Sequence, residues 1–219
     1  MKNITKNTEP RSLAQHRCSR HSDYSNYDHK DDLRHSLLQE QGFICCFCMR
    51  RIGVREGIAL GDQMKVAHWH SQTRHPDEDL DYANLLGACK GGEGMPPEQQ
   101  HCDTFQGNRD LAFNPANPVH DVESKIRYLA DGTMESDDPQ LDRDINCVLN
   151  LNRGYRLKES RKAVISAVIH KVSMRPGPRT RCELHALIDN WGGRDANGHF
   201  KEFCRVALYY LQRKLARTR

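Results

Sequence analysis

The sequence contains no apolar run that approaches the ~20 residues needed to span a membrane. Its N-terminal stretch also has no apolar segment of the kind that directs secretion, so we expect a cytoplasmic chain with no membrane partner. Apolar residues make up 37% of the chain and charged residues 28%, which predicts a small core. The nine cysteines are an odd number. In a chain that is not exported, they favour reduced thiols and metal ligation over disulfides.

Neither sign of charge dominates the chain. There are 33 Lys and Arg against 29 Asp and Glu, a net charge of +4, which is compatible with a nucleic-acid partner. Composition divides the 219 residues into three predicted regions. Residues 1–27 are predicted to be a polar arm, disordered when alone, that serves as a partner-binding tail. Residues 28–118 hold the paired cysteines, and residues 119–219 are predicted to be mainly helical.

The periodicity of apolar residues predicts an α+β fold. A strand is expected over residues 63–70 and a helix beginning near Cys102. Further predictions are a helix over residues 28–41 with Asp28 as its cap and Gly42 at its end, a strand from Ser124 that turns at Asp131 and Gly132, a helix beginning at Pro139, a helix over residues 157–173, a break at residues 175–178, a helix through Leu184 and Trp191 ended by Gly192, and a helix beginning near His199.

Four cysteines form two pairs along the chain. Cys45 and Cys48 are separated by two residues, and Cys89 and Cys102 by a Gly- and Pro-containing insert of twelve. This pattern predicts a tetrahedral zinc site made of four thiolates. An iron–sulfur cluster and four unrelated free thiols are the alternatives. Structural zinc contributes about 10–16 kcal/mol of apparent binding free energy, comparable to the whole stability of many small domains.

Three polar residues lie between or beside the cysteine pairs. His68 has an imidazole that can accept a proton near neutral pH, although a lone histidine beside a tryptophan is more often structural. Asn84 is equally typical of an ordinary turn. Asp103 can coordinate magnesium through oxygen or cap a helix. His101 can bind either metal or neither.

In combination, the segments CCFC, VAHWHSQ, DYANLLGAC and HCDTFQGN resemble the zinc-stapled form of the HNH endonuclease motif. Over roughly residues 33 to 170 the chain resembles, more closely, the HNH nuclease subunit of Septu-type and retron-associated anti-phage systems. The resemblance implies a ββα-metal unit in which His68 is the general base, Asn84 braces the histidine loop, and Asp103 binds a catalytic Mg²⁺ or other divalent ion. It also implies an SMC/ABC-type ATPase partner, a retron reverse transcriptase with its RNA–DNA product, and a DNA or RNA substrate.

One position departs from the family pattern. Ala67 stands where the family has an acidic metal ligand directly before the histidine. Asp62, His70 or Asp103 could supply the ligand instead, or the chemistry could have changed. Cleavage of RNA through its own 2′-hydroxyl needs a base but less help from a metal, so RNA is an alternative substrate. A zinc-stabilised subunit that only binds nucleic acid or a partner, and a scaffold that docks the ATPase, are the competing functions.

Overall fold

The computed structural model describes residues 1–174 and 177–218. The helices are α1 Arg11–Arg17, α2 Lys30–Gln41, α3 Leu60–Gln63, α4 Cys102–Gln106, α5 Val122–Lys125, α6 Pro139–Arg143, α7 Leu157–Ser173, α8 Arg181–Gly192 and α9 Cys204–Ala216. The strands are β1 Met64–His68, β2 Leu85–Cys89, β3 Ile126–Tyr128 and β4 Met134–Ser136. They form two separate antiparallel pairs, β1 with β2 and β3 with β4. Helices combined with small sheets are compatible with the predicted α+β class.

One predicted feature, the break at residues 175–178, lies partly outside the described residues. Arg175 and Pro176, the first half of the expected break, are not described, and neither is Arg219. No helix within the described residues combines the length and the apolar character needed to cross a membrane.

Several helix boundaries follow from local chemistry that the sequence displays. Gly42 ends α2 in the left-handed conformation, with φ of 58°, and its N–H donates to the Leu38 carbonyl. Asp138 caps α6 by accepting hydrogen bonds from two backbone N–H groups of the first turn. Helix α7 has the predicted bounds. These three predictions are confirmed.

Two predicted helix starts are wrong. Asp28 does not cap α2, whose cap position is His29 with no side-chain hydrogen bond. Helix α9 begins at Cys204 rather than near His199. The preceding residues are held by other partners, because the Phe200 N–H donates to the Gly42 carbonyl at 2.9 Å and Phe203 is left-handed, with φ of 53°.

The β1–β2 hairpin is the centre around which the cysteine pairs and His68 are placed. Its register pairs Met64 with Cys89 and His68 with Leu85, so one end carries a cysteine and the other the histidine. The buried side chain of Gln41 ties α2 to β2, since its amide donates to the Gly87 carbonyl at 2.7 Å and accepts from the Gly87 N–H at 2.7 Å. Helix α4 packs against both strands.

The N-terminal segment differs from the expected disordered arm. Met1, Ile4 and Leu13 are buried, and the Met1 amino group donates to the Tyr128 hydroxyl at 3.0 Å. Lys6 donates to the Leu85 carbonyl of β2 at 3.0 Å. These few apolar residues are therefore sufficient to attach the segment to the rest of the chain, because Met1, Ile4 and Leu13 each fill a buried position.

The C-terminal helices form their own packed group and also join the main core. Val168, Leu184 and Leu211 bring α7, α8 and α9 into one apolar cluster. Arg161 on α7 is fully buried and donates to the Leu151 carbonyl at 2.9 Å and to the Gly132 carbonyl in the β3–β4 turn at 2.5 Å. The largest apolar cluster contains residues from all three predicted regions, so these regions share a core.

Candidate metal centre and histidine cleft

The four paired cysteines meet at one buried point. Cys45 and Cys48 lie in the turn after α2, Cys89 ends β2, and Cys102 begins α4. The Sγ atoms of Cys45 and Cys102 are 3.8 Å apart, and those of Cys48 and Cys89 are 3.7 Å apart. All four sulfur atoms lie within 4.8 Å of one another. The twelve-residue insert therefore does not prevent the second pair from closing on the first.

This spacing fits a single metal ion. A tetrahedral site with metal–sulfur bonds of about 2.3 Å places its sulfur atoms about 3.8 Å apart. A disulfide would require about 2.05 Å, and all four cysteines are free. The four buried cysteines can thus bind one structural metal ion such as zinc, as the sequence predicts.

His101 and Cys46 border the cysteine cluster without belonging to it. The His101 Nδ1 atom lies 3.2 Å from the Cys102 Sγ and 3.9 Å from the Cys89 Sγ. Burial lowers the pKa of His101 to about 4, so the ring is neutral at pH 7 and can donate one N–H to a thiolate. Burial raises the pKa of the Cys46 thiol well above its ordinary value, which is consistent with a packing role.

His68 ends β1 and is 8% exposed. Its Nε2 atom lies 3.0 Å from the Asp79 carbonyl oxygen. A carbonyl only accepts, so Nε2 carries the hydrogen and Nδ1 keeps its lone pair. The Gln72 amide nitrogen lies 2.9 Å from the same Nε2, and rotation of this amide would present its oxygen to the Nε2 hydrogen instead. Burial lowers the pKa of His68 below 6.5, which keeps the ring in the neutral form that can accept a proton.

Asn84 makes the hydrogen bonds of a loop brace. Its side-chain oxygen accepts from the His70 N–H at 2.7 Å. Its amide group donates to the carbonyls of His70 at 3.1 Å and Glu78 at 3.0 Å. One side chain therefore fixes the loop that follows His68 at two points, His70 and Glu78. An asparagine in an ordinary turn does not need to make these bonds.

Asp103 lies in the first turn of α4 but does not cap it, because the cap position is His101 and no side-chain cap bond forms. Burial raises the pKa of Asp103 to about 6. Asp103 and His68 line one open cleft of about 320 Å³. The other lining residues are Tyr24, Lys65, Val66, Ser71, Gln72, Thr104, Gly107 and Asn108. The structure thus brings His68 and Asp103 to one surface.

The substitutes considered for the acid missing at Ala67 differ in position. Ala67 is fully buried and pairs with Leu86. Asp62 is an exposed residue of α3 that does not line the cleft, and His70 is bonded to Glu78 at 2.6 Å. Of the three candidates, Asp103 is the one that lines the cleft with His68.

Three residues of the site were missed by the sequence analysis. Tyr24, from the N-terminal segment, places its ring edge-on to His68 at 4.9 Å between centroids, and no sequence signal points to it. Gln106 is buried and donates to the His68 carbonyl at 3.0 Å. Its position in the HCDTFQGN segment, four residues after Cys102, could have indicated it. Lys65 lies on the same strand as His68 and lines the cleft, where its ammonium group pairs with Glu93 at 2.9 Å.

Neither a family model nor a curated protein was found to match this chain.

Proposed function

We propose that this chain is an HNH-type nuclease subunit that cleaves nucleic acid in an anti-phage defence complex with an SMC/ABC-type ATPase partner. The observation that carries the proposal is the single open cleft that His68 and Asp103 both line. The order β1, β2 and α4, with α4 packed on both strands, supports a ββα-metal unit. The hydrogen bonds of Asn84 to the His70 and Glu78 backbone support its proposed role as the asparagine of the HNH motif.

Zinc is the metal that we propose for the four-cysteine site. Thiolates favour zinc among the common divalent ions, and a closed four-thiolate site is typical of structural zinc. An iron–sulfur cluster needs room for several iron and sulfide atoms between its cysteines. Spacings of 3.7 and 3.8 Å leave room for a single ion.

His68 serves as the general base in this proposal. The Asp79 carbonyl holds the Nε2 hydrogen, so the unprotonated Nδ1 is the atom that removes a proton from the attacking hydroxyl or water. The Gln106 amide holds the carbonyl of His68 itself, and the Asn84 amide holds the backbone two residues later, at His70. This support restricts the ring to one orientation, which general-base catalysis requires.

Asp103 is the residue that would hold a divalent cation. Magnesium is held by oxygen ligands and keeps several waters, so one carboxylate with water and substrate phosphate can bind it. Such an ion, when bound, neutralises charge that develops on the phosphate and on the departing oxygen. Lys65 also lines this cleft, where its ammonium group pairs with Glu93 at 2.9 Å, and a bound phosphate would compete with that carboxylate for the lysine.

The buried Ala67 keeps RNA in consideration as the substrate. With one acidic ligand missing, attack by the 2′-hydroxyl of RNA needs chiefly a base, which His68 supplies, and positive charge, which Lys65 would supply on release from its ion pair with Glu93. This route leaves a 2′,3′-cyclic phosphate and survives chelation of magnesium. Hydrolysis of DNA leaves a 5′-phosphate and requires the cation.

The test is cleavage by the complex assembled with the ATPase partner. Duplex DNA, single-stranded DNA and RNA would each be incubated with Mg²⁺ or with chelator, and the ends of the products would be identified. His68→Ala should reduce cleavage at least a hundredfold. The matched control is His185→Ala, which removes an exposed histidine of α8 and should cleave like the wild type. Equal activity of both variants would contradict the proposal.

A binding subunit without catalysis is the second candidate, and a separate surface favours it. The β3–β4 hairpin and α9 form a groove of about 440 Å³ lined by aromatic and basic residues, including Tyr209, Tyr210, Arg213 and Lys214. Tyrosines beside arginines can stack bases and contact phosphates. Wild-type protein that binds nucleic acid, cleaves none of the substrates, and retains full anti-phage protection after His68→Ala would establish this alternative.

A further inference from the structure

The loop between β1 and β2 carries a group of metal-ligating side chains outside the cysteine cluster. We call His70, His75 and Glu78 the loop triad. Their ligand atoms lie within 4.8 Å of one another. The His70 Nδ1 is 2.6 Å from a Glu78 carboxylate oxygen, and the two imidazole rings stack with centroids 4.5 Å apart. All three residues are half-buried, so an ion can reach them from solvent.

Asp110 orients one of these imidazoles. The His75 Nε2 lies 3.3 Å from an Asp110 carboxylate oxygen. A carboxylate accepts, so this nitrogen carries the hydrogen and leaves Nδ1 of His75 free to bind a metal. A carboxylate behind a ligating histidine is the arrangement that fixes the tautomer and raises the basicity of the ligand. Arg74 and the Ser71 N–H each bond Asp110 at 3.0 Å and hold the carboxylate in turn.

The backbone that carries the loop triad is also fixed. Asn84 bonds the backbone of both His70 and Glu78. The Ser71 carbonyl accepts from the His75 N–H at 2.8 Å, and the His75 carbonyl accepts from the Glu78 N–H at 3.1 Å. Three ligands are therefore held close together by bonds that do not involve a metal, which lowers the entropic cost of binding an ion.

We propose that the loop triad is a second metal site, which binds a divalent ion of the Zn²⁺, Co²⁺ or Ni²⁺ type through two imidazole nitrogens and one carboxylate oxygen. Imidazole ligands select these ions over Mg²⁺ and Ca²⁺, which prefer oxygen. Water completes the coordination shell, since three protein ligands leave a position open. The site differs from the four-cysteine centre in ligand type and exposure, and its existence does not depend on the proposed nuclease activity.

The site can be tested on the full chain by metal stoichiometry. Protein carrying one tightly bound Zn²⁺ would be dialysed against added Zn²⁺ and analysed for bound metal. The wild type should bind a second ion. His75→Ala and Glu78→Gln should each weaken that second binding at least tenfold while keeping the first ion. The matched controls His185→Ala and Glu56→Gln remove exposed side chains elsewhere and should bind both ions.

Cobalt provides a second readout that distinguishes the two centres. When Co²⁺ is added to protein already loaded with one Zn²⁺, it should bind without the strong near-ultraviolet absorption of cobalt–thiolate bonds, because the loop triad has no sulfur. Retention of the first Zn²⁺ and an unchanged melting temperature show that each variant is folded. A wild type that binds one ion only, variants that bind the second ion with wild-type affinity, or a thiolate band from the second ion would overturn the proposal.

Discussion

Removal of one thiol from the four-cysteine centre should have a far larger effect than removal of an equally buried thiol elsewhere. Cys102 and Cys204 are both 0% exposed, and both lose one sulfur atom on substitution by alanine. Cys102 belongs to the cluster of four sulfurs, whereas Cys204 is the buried first residue of α9 and lies outside that cluster. Comparison of the two alanine variants therefore separates the contribution of the metal from the cost of a small cavity.

The expected difference follows from the geometry of the centre. Loss of a single buried sulfur without a metal role leaves a small cavity and costs about 1–2 kcal/mol. The Cys45 and Cys102 sulfurs are 3.8 Å apart, the separation expected of two ligands in a tetrahedral shell. Each of the four thiols would then be one quarter of that shell. An incomplete shell gives up much of the about 10–16 kcal/mol that a structural zinc supplies, against a total stability of about 5–15 kcal/mol. Cys102→Ala should therefore unfold the protein, and Cys204→Ala should not.

The assay combines elemental analysis with thermal unfolding, each with and without chelator. The wild type and Cys204→Ala should each carry one tightly bound zinc, and chelator should lower their melting temperatures. Cys102→Ala should lack this zinc and show no further response to chelator. The reasoning is refuted if Cys102→Ala keeps the tightly bound zinc, or if the two variants unfold alike.

Three further predictions concern the stability of the fold. Gly91→Ala would bring a Cβ to 2.0 Å from a backbone oxygen and should unfold the twelve-residue insert between Cys89 and Cys102. The control Gly94→Ala is also at positive φ but in open space, so it should lower the free energy of unfolding by about 1 kcal/mol. Denaturant unfolding measures both. Burial raises the pKa of Asp144 from 3.8 to about 6, so the folded state holds its proton more tightly and stability falls as the pH rises between these values. Asp144→Asn should therefore remove a loss of about 1 kcal/mol between pH 5 and 7.5, and equal pH slopes for the variant and wild type would contradict this. Leu13→Ala, in the N-terminal segment, should destabilise the protein by about 2–5 kcal/mol against less than about 0.5 for the exposed Val119→Ala, and a free arm would show no such difference.

The sequence alone was sufficient where a structure depends on residues close together in the chain. The left-handed end of α2 at Gly42 and the capped start of α6 at Asp138 follow from single residues and their neighbours. The bounds of α7 follow from the spacing of its apolar residues. The grouping of the cysteines was also predictable, because two residues separate Cys45 from Cys48 and such a turn can present both thiolates to one ion.

Only the tertiary structure decided which distant residues share the site. Tyr24 reaches His68 because the N-terminal segment is packed on the core, and its few apolar residues gave no warning of this. The cleft position of Asp103 and the exclusion of Asp62 depend on how α4 and α3 lie against the hairpin. Such contacts join residues far apart in the chain, and no local pattern of polarity or spacing encodes which of them meet.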